Sequence, residues 1–220
     1  MDTILEIRVL DNKDWATVLF FVCFIIIAII KTSFNSKFNY FIKLLFSDKY
    51  LVIYKDKSNL MSWFNISLFI VQLISFTFFI QIVLSYFDVV SKYDWMKFVQ
   101  IFTLLGFFVL SKFLIGKIIA TSFNIEEFAD QINLQKVSYR TFIGLMLLPV
   151  NVVLFYNTIS SINLVYGLIL IVLLINAFTY LISIKMHQNL LFSKIFYFIL
   201  YLCALEIAPY YFMYYWLTRS

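Results

Sequence analysis

Residues 60–86 read LMSWFNISLFIVQLISFTFFIQIVLSY, a run without a single charged side chain. A helix needs about 20 mainly apolar residues to cross the hydrocarbon core of a bilayer, and this run is longer than that. A backbone placed in lipid must satisfy its own N–H and C=O groups, so the run predicts a membrane-spanning α-helix.

Further apolar runs flank it on both sides, at residues 15–30, 95–119, 141–156, 164–184 and 195–217. Together they predict an all-α polytopic membrane helix bundle of about six transmembrane helices, with residues 1–220 forming one integral membrane domain. Composition points the same way. The chain of 220 residues is 63% hydrophobic and 13% charged, against about 25% charged in a soluble domain. Its mean hydropathy is +0.93. Phe is abundant at 27 and Gly scarce at 4. Close helix approach and helix interruptions in membranes favour small residues, so Gly scarcity predicts helices that stand further apart and slide less readily.

The connections carry the charge. The first 14 residues hold Asp2, Glu6, Asp11 and Asp14 against Arg8 and Lys13. A secretory signal needs a basic start, so the run at 15–30 is expected to be a retained span. Residues 31–59 are basic, with Lys31, Lys37, Lys43, Lys49, Lys55 and Lys57 against Asp48 and Asp56. Phe38, Phe41, Ile42 and Leu45 recur there at helical spacing, which predicts a short amphipathic helix in the membrane interface with its lysines toward anionic headgroups. Residues 124–139 are the most polar stretch. Asn124 and Glu127 have capping-box spacing, and Ile125, Phe128, Ala129 and Ile132 form one helical face.

Orientation follows from Lys and Arg. The first, third and fifth connections hold 12 of them, and the termini with the remaining connections hold 5. The positive-inside rule then places both termini outside the cytoplasm, periplasmic in a bacterium. Tyr210, Tyr211, Tyr214, Tyr215 and Trp216 would form an outer aromatic belt.

Candidate functional residues are polar groups at membrane depth. Glu206 is the only carboxylate inside a long apolar run. An ionised group there costs a few kcal/mol or more unless it is neutralised or paired, which makes it a functional candidate. Lys112 is its one charged partner within the spans, offset by about 7–11 Å along the membrane normal. Lys112 can equally snorkel to the cytoplasmic interface, as Lys117 does on the same reading. Pro209 leaves the carbonyl of Leu205 without its helical donor and kinks the last span beside Glu206. Two roles stay open for that carboxyl: a protonated joint between helices, or proton and ion handling. Pro149 and Asn151 make a similar pair in the fourth span. Asn65, Gln72, Gln81, Gln100 and Asn176 are further candidates for interhelical hydrogen bonds, each worth about 0.6–2 kcal/mol.

Other chemistry finds no pattern. His187 has no second ligand near it in sequence, and Cys23 and Cys203 fall in apolar runs with neither disulfide nor metal-ligand spacing. HExxH, P-loop and GxSxG motifs are absent. No cofactor, no metal and no nucleic-acid partner is expected, since the basic residues cluster at span ends.

One stretch carries a family likeness. Residues 198–209, FILYLCALEIAP, and the shorter GLMLLP at 144–149 resemble a family of uncharacterised multi-pass bacterial membrane proteins, domain of unknown function 4271. The apolar layout is similar from about residue 60 onward. The resemblance implies a didermic bacterium and an inner-membrane location, and implies no activity. The expected function is therefore a non-catalytic accessory or scaffold subunit of a larger inner-membrane complex, serving protein export or envelope assembly, with the lipid bilayer and other membrane subunits as partners. The alternative is a small proton-coupled transporter or channel centred on Glu206.

Overall fold

The computed structural model describes residues 13–45, 62–122, 126–157 and 162–186. The ordered elements among them are all helical. They are α1 (Asp14–Ser33), α2 (Asn35–Ile42) with a 3-10 turn at Lys43–Leu45, α3 (Trp63–Tyr86), α4 (Trp95–Ser122), α5 (Glu126–Tyr156) and α6 (Ile162–Met186).

Among the described residues, four helical stretches are long and apolar enough to cross a membrane: Asp14–Ser33, Trp63–Tyr86, Trp95–Ser122 and Asn133–Tyr156. In α6 the corresponding apolar stretch, Val165–Ala177, is shorter. The run at 195–217, with Glu206, Pro209 and the tyrosine belt, lies outside the described residues, as do His187, Cys203 and the side chains of the amphipathic face at 125–132.

Local chemistry sets the helix ends. Ser62 caps α3 by accepting from the Asn65 N–H at 3.4 Å, and Asp94 caps α4 by accepting from Met96 N at 2.9 Å and Lys97 N at 3.3 Å. A cap satisfies N–H groups that have no partner within the helix. At the end of α3, Val89 N donates to Leu84 O and Asp88 N to Ser85 O, at 3.1 and 3.3 Å. This is a Schellman closure, with Asp88 in the left-handed position at φ 56. Glycine usually fills that position, and aspartate is one of the few other side chains that tolerate it.

α3 is the central helix. It packs most extensively on α5 and also touches α1, α4 and α6. Its apolar neighbours gather in two clusters. One joins Phe20, Phe78, Phe98 and Phe155 with Trp15 and Tyr93 packed against them. The other, toward the opposite end, joins Ile30, Phe38, Phe41, Phe64, Leu134 and Phe142. These pairings make α1 and α4 antiparallel to α3, and α5 parallel to it. Aromatic rings do much of the filling: Phe20 stacks on Phe78 at 4.2 Å, and Trp15 stacks on Phe78 at 5.7 Å.

Two expectations change. The polar stretch before the fourth span is not a separate element: one helix of 31 residues, α5, runs from Glu126 to Tyr156. The helix expected there runs on without interruption into the fourth span, and Gln135, Ser138 and Thr141 are buried within it, so their polarity marks a packed face. The short helix after α1 exists as α2, but Phe38, Phe41 and Leu44 turn into the bundle against Phe64, Leu68 and Phe142. Its apolar face is covered by protein, and Lys37 is buried with it instead of facing headgroups.

Candidate functional site: a buried polar seam between α3 and α5

Polar side chains are buried on both α3 and α5, and four of them, Gln72, Ser75, Thr141 and Asn151, meet across the α3–α5 contact. Gln72, Ser75, Thr77 and Gln81 on α3 and Gln135, Ser138, Thr141 and Asn151 on α5 are all buried. Ser75 lies about midway along α3, roughly 17 Å from either end. A polar group at that depth has to find its partner in the protein.

The helices supply those partners. Thr141 Oγ1 donates to Gln72 Oε1 at 2.8 Å. Asn151 Nδ2 donates to the main-chain carbonyl of Ser75 at 2.7 Å and lies 3.2 Å from Ser75 Oγ. Only the NH2 end of an amide can face a carbonyl oxygen, which fixes the orientation of Asn151. Thr77 turns its hydroxyl back to Leu73 O at 2.8 Å.

Gly144 sits between these two links. A Cβ there would stand 2.9 Å from Gln72 Cγ and 3.1 Å from Gln72 Cα. The absent side chain lets the two backbones approach closely enough for short hydroxyl and amide side chains to reach across. Pro149 lies within α5 and leaves the Leu145 carbonyl without its helical donor. Its ring is exposed, so the interruption faces away from the seam.

Two acceptors in this region are left over. Asn151 Oδ1 and Gln81 Oε1 are buried without a hydrogen-bond partner among the described residues. The other end of Gln81 is engaged: Nε2 donates to Asp94 O at 2.9 Å and Ser91 O at 3.2 Å. These bonds tie α3 to the loop before α4. The same loop receives Trp15 Nε1 on Tyr93 O at 3.2 Å and sends Lys92 Nζ to Asn157 O at 3.3 Å. Loop 87–94 thus fastens one end of α1, α3 and α5 together.

At the other end, Lys37 Nζ donates to Ser62 Oγ at 3.3 Å and lies 4.9 Å from the Phe64 ring centroid. Burial pushes this amine below its usual range, because desolvation penalises the charged form.

Of the residues singled out from sequence, Asn151 and Gln72 meet α3–α5 partners, and Pro149 lies beside the seam. Lys112 is half-buried on α4. Glu206 and Pro209 lie outside the described residues, and with them the proposed Glu206–Lys112 pair. Asn176 bonds within its own helix, to Val172 O at 2.8 Å. Ser75 and Thr141 were missed, because a lone hydroxyl in an apolar run carries no sequence signal of its own. The one available cue was the spacing of Thr141 and Asn151 with Gly144 between them. Among the described residues, no group of His, Cys, Asp and Glu is placed to hold a metal ion.

A family model described as Domain of unknown function (DUF4271) matches residues 16–217, and the chain belongs to that family. No curated protein and no solved structure matches it.

Proposed function

We propose that this DUF4271 protein is a non-catalytic accessory or scaffold subunit of a larger complex in a bacterial inner membrane, with six spans and both termini on the periplasmic side. The carrying observation is how the chain uses its polar and apolar groups. The deep amides and hydroxyls of α3 and α5 bond to each other and hold the bundle shut. The outward faces are broad and apolar: Leu104, Phe107, Leu110 and Leu114 along α4, and Leu170, Leu173 and Leu174 along α6, are exposed. Rigid helices with large apolar faces suit the packing of neighbouring subunits as well as lipid.

Photo-crosslinking separates these two coverings. A photoreactive residue at Phe107 or Leu173, in cells at native expression, is expected to trap one recurrent protein of fixed mass. Exclusive labelling of lipid from both positions would overturn the reading.

A second reading has its own support. Asn151 Oδ1 and Gln81 Oε1, buried with no hydrogen-bond partner among the described residues, and a proline within α5 at Pro149 are features a transport path would use. It predicts that Glu206→Gln abolishes a pH-dependent flux in proteoliposomes while expression and thermal stability hold. A variant that only loses stability removes this reading.

A further inference from the structure

The two ends of the bundle differ in charge. At the end that holds Trp15, Tyr86 and Tyr93, Lys13, Lys92 and Lys97 are offset by Asp14, Asp88 and Asp94. At the end where α1 stops and α3 and α5 start, α5 carries Glu126 and Asp130, while Lys31 and Lys43 stand in a segment, 15–47, that contains no Asp or Glu. Both lysines are exposed, and neither has an ion-pair partner among the described residues. Lys31 occupies the last turn of α1, where the apolar stretch gives way to polar sequence. Phe34 breaks the helix there with φ -127 and ψ 46, and α2 turns aside. Its inward residues Phe38, Phe41 and Leu44 clamp it to the bundle. Phe34, Tyr40 and Ile42 are left exposed beside the two lysines.

We propose that this α1–α2 corner is a docking surface for anionic phospholipid headgroups, with Lys31 and Lys43 meeting the phosphates and Phe34 and Tyr40 lying against the glycerol and upper acyl region. The inference rests on the membrane-spanning reading. Charge complementarity names the occupant: exposed lysines with no ion-pair partner among the described residues, beside aromatic rings at the end of an apolar helix, match an acidic leaflet surface. The clamp distinguishes the corner from a loose basic tail, because the lysines are carried on packed helices and need little further ordering to bind.

The test uses the full chain reconstituted in vesicles of phosphatidylcholine and phosphatidylglycerol. It is then extracted gently, and the ratio of the two lipids retained on the protein is measured. Wild type is expected to retain phosphatidylglycerol above its share in the vesicles. Lys31→Gln with Lys43→Gln should lower that enrichment by about five-fold per lysine, the equivalent of ~1 kcal/mol each. Lys31→Arg with Lys43→Arg should keep it, and Lys13→Gln with Lys97→Gln at the opposite end should leave it unchanged. Equal retention of both lipids by wild type, or the same loss from the Lys13 and Lys97 pair, would overturn the proposal. A chain that does not insert into vesicles at all contradicts the membrane reading itself.

Discussion

Asn151 shows how one residue holds two helices. Its NH2 group reaches the Ser75 carbonyl on α3 at 2.7 Å, in a setting without competing water. Asn151→Ala is expected to lower stability by about 0.6–2 kcal/mol, the range of one interhelical bond. Asn151→Asp should cost more, because an acceptor would then face a carbonyl oxygen unless it took up a proton. Thermal midpoints in a mild detergent check both, and equal midpoints for wild type and Asn151→Asp would show that the bond does not stabilise. Lys37 makes the contrasting case. Burial holds its folded-state pKa below the ordinary 10.5, so the unfolded chain binds its proton more readily. Stability from this group is therefore lowest when both states are charged, and recovers as pH rises from the depressed pKa toward 10.5. Lys37→Met should raise the thermal midpoint at neutral pH, by an amount that shrinks as the pH climbs through that window. A gap independent of pH would contradict desolvation as its cause. Asn151 and Gln72 were legible in the sequence as polar residues at membrane depth. Lys37 was misread, because a lysine among aromatic residues looks the same in sequence whether it faces headgroups or the ring of Phe64.

At the scale of elements, α3 and α5 act as a pair set by Gly144. The Cβ of Gly144→Ala would meet the Gln72 side chain and backbone at 2.9–3.2 Å, so the helices must separate by some tenths of an ångström. We expect a loss of about 1–3 kcal/mol from overpacking and a larger loss for Gly144→Leu. Gln72→Ala should rescue only part of it, since the backbone contact remains. The closure of α3 tests the same logic at a turn. Asp88 sits at φ 56, so Asp88→Gly should be neutral to stabilising, whereas Asp88→Val should cost about 1–2 kcal/mol. A tolerated valine would contradict the left-handed closure. Spans of continuous apolar sequence were the legible part: α3 covers 63–86 of the run first quoted. α5 was the illegible part. Its first half holds Asn133, Gln135, Lys136, Ser138 and Arg140, which a hydropathy reading treats as a break. Tertiary packing overrides that reading where the bundle buries Gln135, Ser138 and Thr141.

On the scale of the whole molecule, the chain is stabilised along its centre and left apolar at its periphery. α3 buries residues around most of its circumference, whereas α4 buries little beyond Phe98 and Ala120. Phe107 is 76% exposed, in a helix that carries no comparable polar face toward water. Hydropathy alone could not show this division, because α3 and α4 are nearly equal in apolar character; they differ in the lysines that α4 carries, Lys97, Lys112 and Lys117, and in what surrounds them. A central helix locked by hydrogen bonds and a peripheral one offering side chains outward is the arrangement expected of a subunit that positions others. The most direct test is the mass of the particle extracted from its own membrane with surrounding lipid. The particle is expected to be heavier than the 26.2 kDa chain by one or more different proteins in fixed ratio. A lone chain carrying only lipid, at native expression and under gentle extraction, would contradict it.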